Sequence, residues 1–563
     1  MTAALPHRAP LTAHQDTFVL DNMPTLSEQP EFRYTLPELQ YPERVNCVTS
    51  FVDRWAAEGD AAARTAVLSS DGTTWSYRDL GEAVSRIAHV LTDDLGLVPG
   101  NRVMLRGTNS PVLAAAWLAV IRAGGVVITS LPLLRAKEIT YVLDKANVDL
   151  ILCEEALAEE LNLALKDRPV AEQPRLMFYG GAPGAGLQAA MARKPTSFAP
   201  VDTVRTDPCL IAFTSGTTSV PKATVHTHRD VLAICNTFPR RMLDVRESDR
   251  FIGSPLLGFT YGLGGLLLFP LYYGASTVLL HHGSPKIMAG AIAEHGATIC
   301  FSGPTAYRMI AADVPDADLS SLRACVSAGE ALPVATRAMW REKTGIDLID
   351  GIGATELLHI FLTMPGSEAR ERPGALGRPL PGYQAVVLGE DGEPVPPGHV
   401  GRLAVKGPTG CRYLADERQR DWVKDGWNLT GDSGWTDEDG YFHYHARSDD
   451  MIVSAGYNIS PVEVEDALLA HHGVRDCAAI GVPDEERGAI VKAFVVLAEG
   501  FTPGDETARE LQRFVKDHIA PYKYPRAIEF RTELPRGDTG KLRRFVLRES
   551  EEEQRSVMPH VTK

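Results

Sequence analysis

The segment Phe213–His228 reads FTSGTTSVPKATVHTH. An apolar run, Leu210–Phe213, leads into it, and the residues that follow are rich in Ser, Thr and Gly before a lysine. A loop of that composition after a strand offers backbone N–H groups, hydroxyls and one ammonium to a polyphosphate. It is not a Walker-type loop, because Pro221 stands where that motif requires glycine before Lys222. Composition alone describes a Ser/Thr surface loop equally well, so the neighbouring sequence has to decide.

On either side, apolar runs and helical patterns alternate. Asn101–Gly107 predicts a strand, Ser110–Ala123 carries a helical apolar stripe, and Gly125–Ser130 predicts a second strand. Further strand-like runs fall at Val148–Cys153, Pro208–Phe213, Ala275–His282, Thr298–Phe301 and Leu322–Ser327. Such alternation implies parallel sheets with helices on both faces. Toward the C-terminus the texture changes, and Gly401–Lys406 and Gly440–His445 read as half-exposed β structure. After Ser448 come strands at Val474–Val482 and Ala489–Leu497 and helices at Pro461–Ala470 and Ala508–Ile519, enough for a small α+β domain. The expectation is an α/β N-terminal domain over 1–447 and an α+β C-terminal domain over 448–563. The boundary falls near Arg447–Asp450, and the tail Glu549–Lys563 reads as a solvated charge run.

A chain of 563 residues is too long for one core and fits two to four domains. With 44% hydrophobic and 23% charged residues it is neither disordered nor fibrous. The 57 Lys+Arg against 72 Asp+Glu leave a net charge of −15, which disfavours a nucleic-acid partner. Eight cysteines without a CxxC pair read as reduced, mostly buried thiols rather than a disulfide framework or a zinc site. Met1–Asn22 has no apolar segment resembling a signal peptide. Phe251–Leu280 runs thirty residues without a charge, but six glycines and two prolines break it into pieces that suit a buried α/β domain, not a membrane span. A soluble, cytoplasmic protein with no membrane partner is expected.

Five separated motifs add weight: FTSGTTSVPK (Phe213–Lys222), GIGATE (Gly351–Glu356), TGD (Thr430–Asp432), ARSDDMIVSAGYNISPVEVE (Ala446–Glu465) and PRGDTGK (Pro535–Lys541). On these, from about Trp75 to Arg544, the chain resembles the adenylate-forming superfamily of acyl- and aryl-CoA ligases, peptide-synthetase adenylation domains and luciferases. The resemblance implies a large domain of parallel sheets with a small β-barrel-like part, and a small mobile C-terminal domain. It implies activation of a carboxylic acid by ATP and Mg2+ to an acyl-adenylate, then transfer to the thiol of CoA. It assigns Thr214, Ser215, Gly216, Thr217, Thr218 and Lys222, with Gly329, Glu330, Gly351, Ile352, Thr355, Asp432 and Arg447, to the nucleotide. Physical chemistry agrees, because a carboxylate attacking the α-phosphate is one anion approaching another and needs cations and donors around it. Glu356 suits a magnesium ligand, Thr355 a donor to the α-phosphate, and Asp432 a bidentate acceptor for the ribose hydroxyls. By resemblance Lys541 is the adenylating lysine, Asp449 the hinge of a rotating C-terminal domain, and Gly456 part of the pantetheine tunnel.

Ile352 stands where generic members carry tyrosine. The strings DGIGATELLHIFLT (Asp350–Thr363), FTYGLGG (Phe259–Gly265) and LPELQYPERVNC (Leu36–Cys47) resemble benzoate- and 2-aminobenzoate-CoA ligases in particular. An aryl acid needs a flat apolar slot with a few polar groups. Phe259, Thr260, Tyr261, Ala328, Gly329, Gly351 and Gly353 are the candidate walls, the glycines admitting a ring close to backbone. His359 either faces the substrate's carboxylate or ring substituent or packs in the core. Ser219 and Ala223 depart from the glycines usual in the phosphate loop, which puts substrate range or nucleotide affinity in question. The same machinery serves an ATP-dependent diazotase that activates nitrite, or loading of an aryl group onto a carrier protein. A non-catalytic nucleotide-binding scaffold is argued against by intact Glu356, Asp432, Arg447 and Lys541. A homodimer stays open. Two decoys are set aside. The GAGLQA string at Gly184–Ala189 imitates a dinucleotide fingerprint, but Pro195 and Pro200 interrupt the strand that should follow. The pairs His226/His228, His281/His282, His443/His445 and His471/His472 have no evident third metal ligand.

Overall fold

The computed structural model describes residues 11–557 apart from 58, 183, 215–219, 448–449, 455–456, 485–486 and 538–541. Two largely parallel sheets form the large N-terminal domain. The first runs, in spatial order, Arg175–Tyr179, Leu150–Glu154, Arg102–Arg106, Val126–Ser130, Pro208–Phe213 and Ala223–Thr227, with only the last pair antiparallel. The second has six parallel strands at its centre: Thr65–Ser69, Ser276–Leu279, Arg250–Gly253, Ile299–Ser302, Ala324–Ser327 and Ile349–Gly353. Antiparallel strands close it, Thr74–Ser76 at one edge and Ile360–Thr363 with Arg378–Pro379 at the other.

The helix Pro111–Arg122 lies where both sheets bury it, which is why its sequence is apolar all round. Every residue but Val112 is buried, and the Ser110 hydroxyl caps it by accepting the Leu113 N–H at 3.2 Å. Arg122, at its last turn, is buried only because its guanidinium donates to Ser85 and pairs with Asp53. One apolar cluster runs from this helix through both sheets, so they fold as a single body around it.

A five-stranded antiparallel sheet follows, built from Gln384–Leu388, Gly401–Lys406, Trp427–Thr436, Val423–Lys424 and Phe442–Arg447. The smaller C-terminal domain packs the strands Val474–Asp484, Gly488–Leu497 and Ala527–Phe530 against the helices Pro461–Leu469 and Asp505–His518. Val464, Leu468, Ala493, Val495, Leu511 and Val515 make its own core.

The strands and helices expected from the apolar pattern are present, with ends shifted by a few residues. The charge-free stretch becomes a strand, the helical turns Thr260–Leu263, Gly264–Leu268 and Phe269–Tyr272, and a second strand. No helix among the described residues is long and apolar enough to cross a membrane. The tail departs from expectation. Residues Arg544–Val557 form a helix whose Leu547 is fully buried beside Ile480 and Phe494, and Glu551 takes an ion pair from Lys492 at 2.5 Å. Within the expected charge run Glu549–Lys563 the departure is Glu551, and the buried Leu547 lies just before it.

Candidate active site

The ends of the phosphate loop are closed by the antiparallel pairing of Phe213 with Ala223. Thr214 N–H donates to the Lys222 carbonyl at 2.9 Å, and the Lys222 N–H to the Thr214 hydroxyl at 3.3 Å. Ser215, Gly216, Thr217, Thr218 and Ser219 lie outside the described residues, as do Asp449, Gly456 and Lys541. The Lys222 ammonium donates to the Tyr413 hydroxyl at 3.1 Å and sits over the rings of Tyr413 and Trp422, at 5.0 and 5.3 Å. Burial pulls its pKa down, and the nearby Glu356 charge opposes that.

Glu356 is delivered by the strand Ile349–Gly353 and the helical turn Thr355–Leu357 that follows it. Its carboxyl is 5% exposed, and one oxygen accepts a hydrogen bond from the Tyr413 hydroxyl. Burial holds this carboxyl above the usual range, while the Tyr413 bond and the cations Lys222 and Arg447 pull the other way. His226, lowered to about 4 by burial and therefore neutral, donates Nε2–H to the Thr355 carbonyl at 2.9 Å. The turn that aims Glu356 is thus fixed from outside. A single buried carboxylate, anchored on one oxygen and with an ammonium nearby, fits a Mg2+ ion that arrives on phosphates and keeps most of its own water.

Asp432 and Arg447 face each other across adjacent antiparallel strands, and the guanidinium lies 3.8 Å from the carboxylate. Gly431, at φ +75°, leaves the Arg447 head its place, since a Cβ there would come within 2.9 Å of it. Glu330 accepts from the Thr305 hydroxyl at 3.1 Å and from Arg536 at 3.3 Å. Arg536 belongs to the PRGDTGK motif and also pairs with Asp476 at 2.9 Å, which Arg308 contacts at 3.0 Å. This network holds the C-terminal motif against the rim of the large domain.

The two segments associated with ring acids meet at His359. Its imidazole lies among Phe269, Phe238, Tyr261 and Phe301, with centroids 4.6 to 6.3 Å away. Burial lowers its pKa to about 3, so it stays neutral and gives no counter-charge to a carboxylate. Tyr261 spends its hydroxyl on the carbonyls of Ser302 and Val326, at 3.2 and 3.0 Å, and offers the site only its ring. Phe259 caps the turn that starts at Thr260, and both are half-buried. Ala328 is buried, whereas Gly329 is exposed at φ +91°. A Cβ on Gly351 would lie 2.7 Å from the Ile360 side chain, and one on Gly353 would lie 2.9 Å from the His359 backbone. Both glycines are required by the chain at His359 and Ile360, whether or not a ring also approaches them. Ile352, between them, is half-buried against the core.

Tyr413 and Arg536 are the members sequence reasoning missed. Tyr413 stands outside every motif and Arg536 inside PRGDTGK without a role read for it, and only the folded chain brings them to Glu356 and Glu330.

Comparison with known proteins accords with this geometry. The family model described as AMP-binding enzyme matches residues 53–413, and that of the AMP-binding enzyme C-terminal domain matches 463–541. A benzoate–CoA ligase of Thauera aromatica is 34% identical over 91% of this chain and 98% of its own. A mitochondrial acyl-coenzyme A synthetase, ACSM3 of Rattus norvegicus, is 33% identical over 91% and 92%. Among solved structures, the anthranilate CoA ligase AuaEII in complex with anthranoyl-AMP superposes with a TM-score of 0.86 at 32% identity, covering 93% of this chain and all of that one. A benzoate CoA ligase from Burkholderia xenovorans gives 0.82 at 32% identity, covering 90% and 100%. With Lys222 and Glu356 joined through Tyr413 and both family models matched in order, the chain belongs to the AMP-binding enzyme family and is an AMP-forming acid–CoA ligase.

Proposed function

We propose that this ligase activates an aromatic carboxylic acid, of the benzoate, aminobenzoate or cinnamate kind, and passes it to CoA. The observation that carries the reading is the ring cluster Phe238, Tyr261, Phe269, Phe301 and His359, which abuts the strand leading to Glu356. A neutral imidazole and ring faces suit a flat apolar acid, whereas a flexible acyl chain has no need of them. The ligases of benzoate and anthranilate named above support the same class.

In the first step a carboxylate oxygen bonds to the α-phosphorus of ATP and pyrophosphate leaves. Lys222 and, by its motif, Lys541 stabilise the charge that develops, Asp432 holds the ribose, and Arg447 contacts the nucleotide. Glu356 would hold Mg2+, which when bound supplies positive charge to the phosphates. In the second step the thiolate of CoA attacks the acyl carbonyl and AMP leaves. One site serves both steps if the C-terminal domain, 448–563, turns on residues 447–450. Arg447 is still paired within the antiparallel sheet, whereas Asp450 is bound to Arg548 at 2.9 Å in the C-terminal helix, so the chain changes domain between them.

The test is mass spectrometry of products from ATP with a panel of ring acids, acetate and a long-chain fatty acid, run with CoA, with nitrite and with neither. Aryl-CoA from the ring acids is expected. Equal turnover of a fatty acid removes the aromatic assignment, and a nitrite-dependent product without thioester makes the enzyme a diazotase.

A further inference from the structure

Away from the nucleotide site, three chain segments bring sulfur and imidazole together in the core. Cys47 precedes the helical turn Thr49–Asp53, Cys209 is the second residue of the strand Pro208–Phe213, and His228 opens the helix His228–Met242. The two Sγ atoms and a ring nitrogen of His228 all lie within 4.8 Å of one another. His228 Nδ1 is 3.3 Å from Cys47 Sγ and 3.2 Å from the Cys47 amide. Both cysteines are wholly buried, and His228 is 1% exposed. Backbone bonds hold the segments independently of this contact: Val45 N–H to the Thr203 carbonyl at 2.9 Å, and His228 N–H to the Asp207 carbonyl at 3.3 Å. His228 belongs to one of the histidine pairs that had no third ligand in the sequence, and the fold supplies two.

We propose that Cys47, Cys209 and His228 form a structural site for a thiophilic divalent cation of the zinc class. Bond lengths of about 2.3 Å to sulfur and 2.0–2.1 Å to nitrogen, at tetrahedral angles, put sulfur and nitrogen about 3.5 Å apart and two sulfurs about 3.8 Å apart. Here one sulfur and the nitrogen stand 3.3 Å apart, and all three ligand atoms lie within 4.8 Å of one another. Charge selects the cation. Two thiolates around a divalent ion are neutral overall, as a site with no solvent contact requires, whereas a monovalent ion leaves a net negative charge buried. His14, on the segment whose Ala13 N–H donates to the Asp207 carboxylate at 3.0 Å, is buried with neither ring nitrogen hydrogen-bonded, and is the candidate for a fourth donor. Binding releases two thiol protons and needs no oxidant. The ion would pin the Cys47 segment to the strand that runs directly into the phosphate loop.

The test uses the full-length protein, stripped with chelator and titrated with Co2+ as the probe, then with Zn2+ in competition. A thiolate-to-cobalt absorption band saturating at about one equivalent and displaced by zinc is expected. Losing an outer-shell partner alone costs about 10–100-fold in affinity, so Cys47→Ser and Cys209→Ser should each abolish the band and weaken zinc by more than about 100-fold. Cys325→Ser, a buried cysteine outside the cluster, should leave it unchanged. Should the cluster variants fail to fold, the wild type still decides, because zinc but not magnesium should raise its melting temperature. Absence of the band in stripped wild type, its persistence in both cluster variants, or a Cys47–Cys209 disulfide as the resting state overturns the proposal.

Discussion

Replacing Tyr413 with Phe removes one hydroxyl and nothing else from the junction of two motifs. That hydroxyl donates to Glu356 and accepts from Lys222 at 3.1 Å, and it lies in a pocket where Tyr413 is 1% exposed and Glu356 5%. A hydrogen bond to a charged group in such surroundings is worth about 1.5–3 kcal/mol. Burial already lifts the Glu356 carboxyl, and the Tyr413 bond is the first influence opposing it. Losing that bond therefore moves the pKa further up. The ionised form, which the magnesium role requires, then appears only at higher pH. The assay is pyrophosphate release with the preferred acid, measured against pH and against magnesium. In Tyr413→Phe the acid limb of the profile should shift to higher pH, and the magnesium requirement should rise at neutral pH and relax in alkali. An unchanged acid limb with unchanged magnesium dependence refutes the reasoning, whatever happens to the maximal rate.

Arg536→Ala removes the arginine shared by Glu330 and Asp476, so adenylation should fall about 5–30-fold for a loss of about 1–2 kcal/mol while thioester formation from supplied adenylate persists; equal losses in both would mean the contact is not specific to one half-reaction. Lys541→Ala should lower pyrophosphate formation about 10²–10³-fold and spare the second step, and Asp449→Pro should do the reverse by fixing the hinge backbone; identical profiles in the two variants would remove the domain rotation. Arg412 and Asp230 form a salt bridge of 2.7 Å with side chains 2% and 0% exposed, so Arg412→Ala should lower stability to urea by about 3–5 kcal/mol, and a change below about 1 kcal/mol would show the pair is not needed.

Much of the large domain was legible because its strands and helices are nearly all buried and their apolar periods are unbroken. The alternation from Asn101 to Ser130 became a strand, a helix and a strand in one sheet, displaced by only a residue or two. The phosphate loop, GIGATE and TGD were legible for another reason. Their chemistry is local, with a lysine, a glutamate and an aspartate each in a short string that also sets the backbone around it. Distance along the chain defeats this kind of reading. Tyr413 lies 57 residues from Glu356 and 191 from Lys222, and a lone tyrosine before a charged turn announces neither contact. Cys47 and His228 are 181 residues apart, and no spacing rule connects them. The sequence offered no sign that Gly351 and Gly353 are also held free of side chains by His359 and Ile360, which pack on them only after the chain has turned back. Sequence by itself determined which elements form and which chemical groups the chain carries, because propensity, burial pattern and short motifs act within a few residues. Tertiary structure alone decided which of those groups meet, because contacts among Lys222, Tyr413 and Glu356, or between Arg536 and Glu330, exist only once separate sheets and domains have packed.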